Sequence, residues 1–161
     1  MTELKLTTEP GVPQILTERE FAAPRDLIYR AFTEADLLTQ WLGPRQYTMK
    51  VERFDPRDGG TYRYLHVDDN GTEYGFHGVF HGDPSMEGIV QTFEYEGVPG
   101  HVSLDTVTFE ERDGKTVVRT NTLFQSIEDR DGMVQSGMAE GMNEGYDRLD
   151  ELLATTLKPK H

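Results

Sequence analysis

The feature that most constrains this chain is a helical stripe near its C-terminus that is interrupted by glycine. Between residues 126 and 157 the apolar residues Val134, Met138, Met142, Tyr146, Leu149, Leu152 and Leu153 fall on helical spacing. At about 100° per residue they make one face, with Glu140, Glu144, Asp147 and Glu151 pointing elsewhere. Ser126 followed by Asp129 reads as a capping box, so the sequence predicts one long helix from there to Leu157. Gly137, Gly141 and Gly145 recur every four residues beside or within that face. Each costs a helix interior roughly 1 kcal/mol relative to alanine. Two arrangements offset such a cost: a neighbouring backbone that comes very close, or a space left unfilled for a ligand.

A long amphipathic helix cannot bury its stripe alone, so the rest of the chain must cover it. Residues 1–11 read as a loose lead-in. Residues 14–21 alternate as a strand with Ile15, Thr17, Arg19 and Phe21 on one face. Pro24 opens a first short helix with Leu27, Ile28, Ala31 and Phe32 on its apolar side. Thr33 with Asp36 reads as the capping box of a second, through Leu37, Leu38, Trp41 and Leu42, which Gly43-Pro44 ends. Six β-rich runs follow, near 47–54, 61–67, 73–81, 89–95, 102–110 and 116–125. Short turn signals such as Asp69-Asn70-Gly71 and Asp113-Gly114 join them. The reading is an α+β helix-grip fold: a curved antiparallel sheet of about seven strands wrapped around the C-terminal helix, with two short helices after the first strand. Residues 1–161 are expected to form one domain with its core in 14–157.

Composition narrows the function classes. There is no cysteine, hence no disulfide framework, thiol nucleophile or thiolate metal site. The net charge of −13, from 29 acidic against 16 basic residues, argues against nucleic acid and anionic membranes as partners. No apolar run reaches membrane-spanning length and no signal peptide is visible, so a cytoplasmic location is expected. Neither a cofactor nor a metal is expected. His77 and His81, four apart on one strand, would lie about 13 Å from each other, too far to share an ion. No catalytic constellation is legible: there is no Gly-x-Ser-x-Gly elbow, and Ser103 has no evident helper. His66, alternating with Tyr62 and Tyr64, is either a polar group of a pocket or a hydrogen-bonded sheet residue. Glu94 is either a partly covered acid with a raised pKa or an outward-facing one.

Several short stretches also resemble a known family. Phe21-Ala-Ala-Pro24, Ala31-Phe32-Thr33, Trp41-Leu-Gly-Pro44, Asp58-Gly-Gly60, Gly78-Val-Phe80, Ser136-Gly-Met-Ala-Glu-Gly-Met142 and Tyr146-Asp-Arg-Leu149 are similar to landmarks of the activator of heat-shock-protein-ninety ATPase-like domains. These belong to the START-related superfamily, abbreviated SRPBCC, with the birch-pollen-allergen fold. The resemblance covers roughly residues 15–153. It implies a hydrophobic cavity between sheet and helix, and three classes of function. The first is binding of a small apolar or aromatic molecule as carrier, sensor or sequestering protein. The second is a chaperone co-factor or other interaction module, and the third a cyclase- or hydrolase-type enzyme using the same cavity. Binding is favoured over catalysis. The expected cavity residues are Trp41, Tyr64, His66, Phe76, Phe80, Glu94, Met138, Gly141, Met142 and Tyr146, on the assumption that the register turns them inward. The ligand's identity, and whether the protein is a monomer or a homodimer, stay open.

Overall fold

A computed structural model describes residues 3–155 and 157. Its centre is one antiparallel sheet of eight strands: β1 (Lys5–Thr8), β2 (Gln14–Phe21), β3 (Thr48–Phe54), β4 (Thr61–Val67), β5 (Glu73–Val79), β6 (Ile89–Tyr95), β7 (Val102–Arg112) and β8 (Lys115–Leu123). Their order is β1-β2-β8-β7-β6-β5-β4-β3, so a meander runs from β3 to β8 and β2 closes beside β8. Helices α1 (Arg25–Thr33) and α2 (Ala35–Leu38) connect β2 to β3, and α3 (Ile127–Gln135) and α4 (Met138–Thr155) complete the chain. The helix-grip arrangement is as the sequence predicts. The turns follow their residues: Asp113 and Gly114 both have positive φ (53° and 77°), which a two-residue type I′ hairpin requires.

Four local expectations are corrected. The lead-in is not loose: Lys5–Thr8 pairs with residues 15–18 of β2 and makes the eighth strand. Thr33 does not cap α2. It ends α1, its hydroxyl donating to the Tyr29 carbonyl, while extended Glu34 separates the two helices. His81 lies beyond β5, after a single bridge from Phe80 to Gln91. The C-terminal helix is two helices. Ser126 does cap α3, accepting from the Asp129 amide, but the chain turns at Ser136-Gly137, where Gly137 has φ +90°. A glycine in that left-handed conformation is the usual end of a helix, so Gly137 is a terminator rather than part of a stripe. Val134 is accordingly exposed.

Period-two alternation sets the two faces of the sheet. Ile15, Thr17, Arg19 and Phe21 of β2 all point inward and are nearly fully buried. Opposite them in register lie Thr122, Thr120, Val118 and Thr116 of β8. The core between this face and the helices gathers Leu27, Ile28 and Ala31 of α1, Trp41, and Tyr146, Leu149, Leu152 and Leu153 of α4. Arg19, with no exposed side-chain surface, reaches Asp147 and Asp150 of α4 at 2.9 and 2.7 Å, and its guanidinium lies 4.9 Å from the Phe21 ring centre. Sheet and helix are thus tied by a charge pair as well as by apolar packing. Arg130 of α3 donates to the carbonyls of Glu9 and Val12, fastening the β1–β2 connection.

Candidate functional site

The loop of residues 41–44 explains two of the three glycines. A Cβ on Gly145 would lie 3.1 Å from the Trp41 carbonyl oxygen and 3.2 Å from the Gly43 nitrogen. On Gly141 it would meet the Pro44 ring at 3.3 Å. The loop crosses α4 where side chains are missing, so the glycines admit a neighbouring backbone and do not floor an empty cavity. Gly43 itself has φ +95°, and its own Cβ would strike the His66 ring at 2.6 Å. Helix α4, the loop and β4 are stacked through missing side chains. Arg148 donates to the Gly43 carbonyl and Glu144 accepts from the Arg45 amide, fixing the loop further.

Trp41 is a plug rather than a lid. It is fully buried, donates from Nε1 to the Ala31 carbonyl at 2.9 Å, and packs between Phe32 and Tyr146. Tyr146 also meets Phe21 edge-on at 5.1 Å. Phe80 lies in the same core against Phe54 and Tyr62.

An incompletely covered part of the inner face lies further along the sheet. On β4, Tyr62, Tyr64 and His66 point inward, and their partners across β5 are Gly78, Phe76 and Tyr74. Phe76 stacks on Tyr64 at 5.3 Å and on Phe93 of β6 at 5.5 Å. Opposite Phe93 on β7 is Ser103, and the next inward pair is Gln91 with Asp105, then Thr122 on β8. Phe76, Gln91, Phe93, Asp105 and Thr122 all face inward yet keep solvent-accessible surface, as do Met138 and Met142 at the start of α4. This incompletely covered strip, the inner groove, has an aromatic side and a polar floor of Gln91, Asp105 and Thr122. Gly78 contributes by absence: a Cβ there would collide with Tyr62, whose hydroxyl crosses β5 to donate to the Thr92 carbonyl and accept from Gln91.

The electrostatics of the groove are unusual. Burial pushes the Asp105 carboxyl up to about 7, against the opposing effect of hydrogen bonds from Ser103 and Thr122. The Ser103 hydroxyl donates to Asp105 at 3.2 Å, so this serine has a partner after all. Burial also raises the Tyr64 phenol. His66 is lowered to about 4, by burial first and by Arg148 second, and its Nε2 is buried without a hydrogen-bond partner among the described residues. The ring stacks on Tyr47 at 5.6 Å.

Of the expected cavity residues, Tyr64, His66 and Phe76 form one ring cluster on the inner face, and Met142 packs against the core from α4. Met138 begins the same helix, while Trp41, Phe80, Gly141 and Tyr146 belong to the packed core or to the loop crossing. Glu94 is a correction: it faces the opposite way, accepting from the Gly100 amide and paired with His77, because Phe93 and Tyr95 take the inward positions of β6. His77 is held between Glu94 and Glu96 on that outer face. Among the described residues no group of histidines and carboxylates has the arrangement of a metal site. Asp105 was legible as an acid on the inward phase of Ser103, Val107 and Phe109.

Two hollows open on the outer face. One of about 400 Å³ lies over β1, β2, β8 and β7, beside Leu16, Glu18 and Arg119, and one of about 290 Å³ beside Arg63, Leu65 and Glu96. The arginines in them are paired: Arg119 with Glu18 and Glu110, Arg63 with Glu52 and Glu96. The Asp105 carboxyl on the inner face, by contrast, has no cation partner among the described residues.

The sequence of residues 22–154 matches the family described as Activator of Hsp90 ATPase homolog 1-like protein. No protein among those with curated descriptions matches. A crystal structure of a Rhodobacter sphaeroides protein superposes with a TM-score of 0.87 at 26% identity, covering 94% of this chain and 98% of its own. A Mycobacterium smegmatis protein gives 0.86 at 22%, over 97% and 99%, and an Arthrobacter aurescens protein 0.85 at 20%, over 98% of each. The last two speak for the fold alone. With its helix-grip fold, its glycine-crossed loop and this match over most of its length, the chain belongs to the family of activator of Hsp90 ATPase homolog 1-like proteins.

Proposed function

We propose that the inner groove binds a small apolar or aromatic molecule, and that the protein works as a cytoplasmic carrier, sensor or sequestering protein. The observation that carries this is the stack of Phe76 and Phe93, rings 5.5 Å apart, on the core-facing side of the sheet yet incompletely covered. Apolar rings facing inward without full burial lose part of the roughly 25 cal/mol per Å² that covering them would give, and a ligand recovers it. Met142, packed against the core from α4, has a side chain that adapts to different shapes. Ligand sites of this kind are concave and mostly apolar, with a few polar groups that fix orientation.

The test is uptake of the neutral fluorescent probe N-phenyl-1-naphthylamine. Saturable enhancement at one site is expected, and Thr122→Phe, which fills the groove floor from β8, abolishes it while the variant stays folded by circular dichroism. Uptake unaffected by Thr122→Phe places the site elsewhere and defeats the proposal.

A second reading, a protein-interaction module of the chaperone co-factor kind, has one observation behind it. Leu16, Leu104 and Leu123 lie near one another on the outer face, each about two-fifths exposed. Exposed apolar clusters of this sort mark contact surfaces. Leu104→Lys with Leu123→Lys leaves probe uptake intact if the groove is the functional site.

A further inference from the structure

Asp105 is out of keeping with its surroundings. It sits on the inward face of β7 between Ser103 and Val107, with Gln91 and Thr122 across from it on either side. The Ser103 hydroxyl donates to it at 3.2 Å. The Tyr62 and Tyr64 phenols of β4 lie near enough to feel its charge. Among the described residues no lysine, arginine or histidine pairs with it. The acids that face Arg19 differ: Asp147 and Asp150 are half-exposed and each is paired with that guanidinium. A carboxylate packed largely out of water without a cation is costly, and such a group on a partly open face is a candidate for binding a partner from outside. The Tyr64 hydroxyl, too, makes no hydrogen bond among the described residues, although its ring is buried.

We infer that the groove takes an organic cation, an aromatic molecule bearing a protonated amine, with the ammonium group on Asp105 and the ring among Tyr64, Phe76 and Phe93. This rests on the small-molecule reading and narrows it to a ligand class. The chemistry is complementary on each side. An ammonium donates to the carboxylate and to the Tyr64 oxygen, and the faces of the surrounding aromatic rings attract positive charge. A neutral hydroxyl would make one hydrogen bond and leave the carboxylate's charge uncompensated. The Tyr62 and Tyr64 phenols are held protonated and neutral, and His66, further along β4, is neutral at physiological pH; the cation beside His66, Arg148, is engaged by the Gly43 carbonyl. The net charge of −13 attracts a cation at longer range.

The experiment compares 2-phenylethylamine with 2-phenylethanol, the same skeleton with and without the charge, by calorimetry at pH 8. The wild-type protein should bind the amine at least about tenfold more tightly, the size of a cation–π contact joined to a charge-assisted hydrogen bond. Asp105→Asn should abolish that preference and leave 2-phenylethanol affinity within about twofold. Equal affinities in the wild type overturn the inference. So does a preference that survives in Asp105→Asn. Should that variant not fold, the wild type decides: the preference fades towards parity between pH 8 and 5 as the carboxyl protonates, and a preference constant from pH 5 to 8 overturns the inference. If the alcohol and N-phenyl-1-naphthylamine bind but the amine has no advantage, only this inference fails. If none of the three binds, the small-molecule reading fails with it.

Discussion

Gly145→Ala adds one methyl group to the place where α4 meets the loop of residues 41–44. The new Cβ would lie 3.1 Å from the Trp41 oxygen and 3.2 Å from the Gly43 nitrogen, both backbone atoms. Non-bonded heavy atoms sit best at about 3.5–4.0 Å, so loop and helix must part by several tenths of an ångström. The loop is poorly placed to yield. Trp41 is pinned through Nε1 to Ala31, the Gly43 carbonyl is held by Arg148, and Arg45 is tied to Glu144 and Glu151. Helix propensity returns about 1 kcal/mol, whereas overpacking a tight contact costs about 1–3 kcal/mol. The net expectation is a loss of about 1 kcal/mol, or a fall in Tm of about 2–4 °C for a chain of this size. Gly141→Ala is the internal control. Its methyl meets the edge of the Pro44 ring, at 3.3 and 3.8 Å, and that ring has room to change pucker. It should raise Tm by about 1–3 °C, since the propensity gain is then largely kept. Paired calorimetric melts decide. If Gly145→Ala is as stabilising as Gly141→Ala, the crossing loop does not explain the glycines.

Two further outcomes follow from buried groups. In an unfolded chain an aspartate titrates near 3.9 and a histidine near 6.5, whereas here Asp105 is pushed up to about 7 and His66 down to about 4. Between pH 4 and 6.5 the unfolded state binds the extra proton at histidine and the folded state binds it at Asp105. His66 therefore favours folding more as pH rises, Asp105 favours it less, and the two slopes largely cancel. Asp105→Asn unmasks the histidine: stability from urea melts should climb by up to about 3 kcal/mol across that window, and a flat profile in the variant contradicts the assignment. Trp41, fully buried between Phe32 and Tyr146, should emit at short wavelength and resist iodide quenching; an exposed, quenchable tryptophan would show that it lines the groove mouth instead.

Much of the fold was legible because it depends on local pattern. Alternation in β2 placed Ile15, Thr17, Arg19 and Phe21 on one buried face, and Asp113-Gly114 identified its hairpin. What misled was chemistry that reads alike in two settings. Glycines four apart look the same whether they leave a void or admit a backbone, and only the path of residues 41–44, a hundred residues away, distinguishes the two. Gly137 fits a helical stripe by spacing, yet the same residue is the best terminator available, and the chain uses it so. Glu94 reads either as a partly covered acid or as an outward-facing one; Phe93 and Tyr95 claim the inner face through stacking on Phe76, which lies on another strand. Asp105 lies on its own strand in phase with Val107 and Phe109. An acid on an apolar phase is the more informative signal, since its burial needs a reason.

On the proposed function a ligand sits on the inner face of the sheet. Methyl-labelled methionine NMR reads it directly, because Met142 packs against the core from α4 and Met86 lies exposed in the β5–β6 connection. On titration with 2-phenylethylamine the Met142 methyl resonance should shift saturably through the ring current of the bound molecule, while Met86 stays in place. Movement of Met86 with Met142 unchanged would contradict the account.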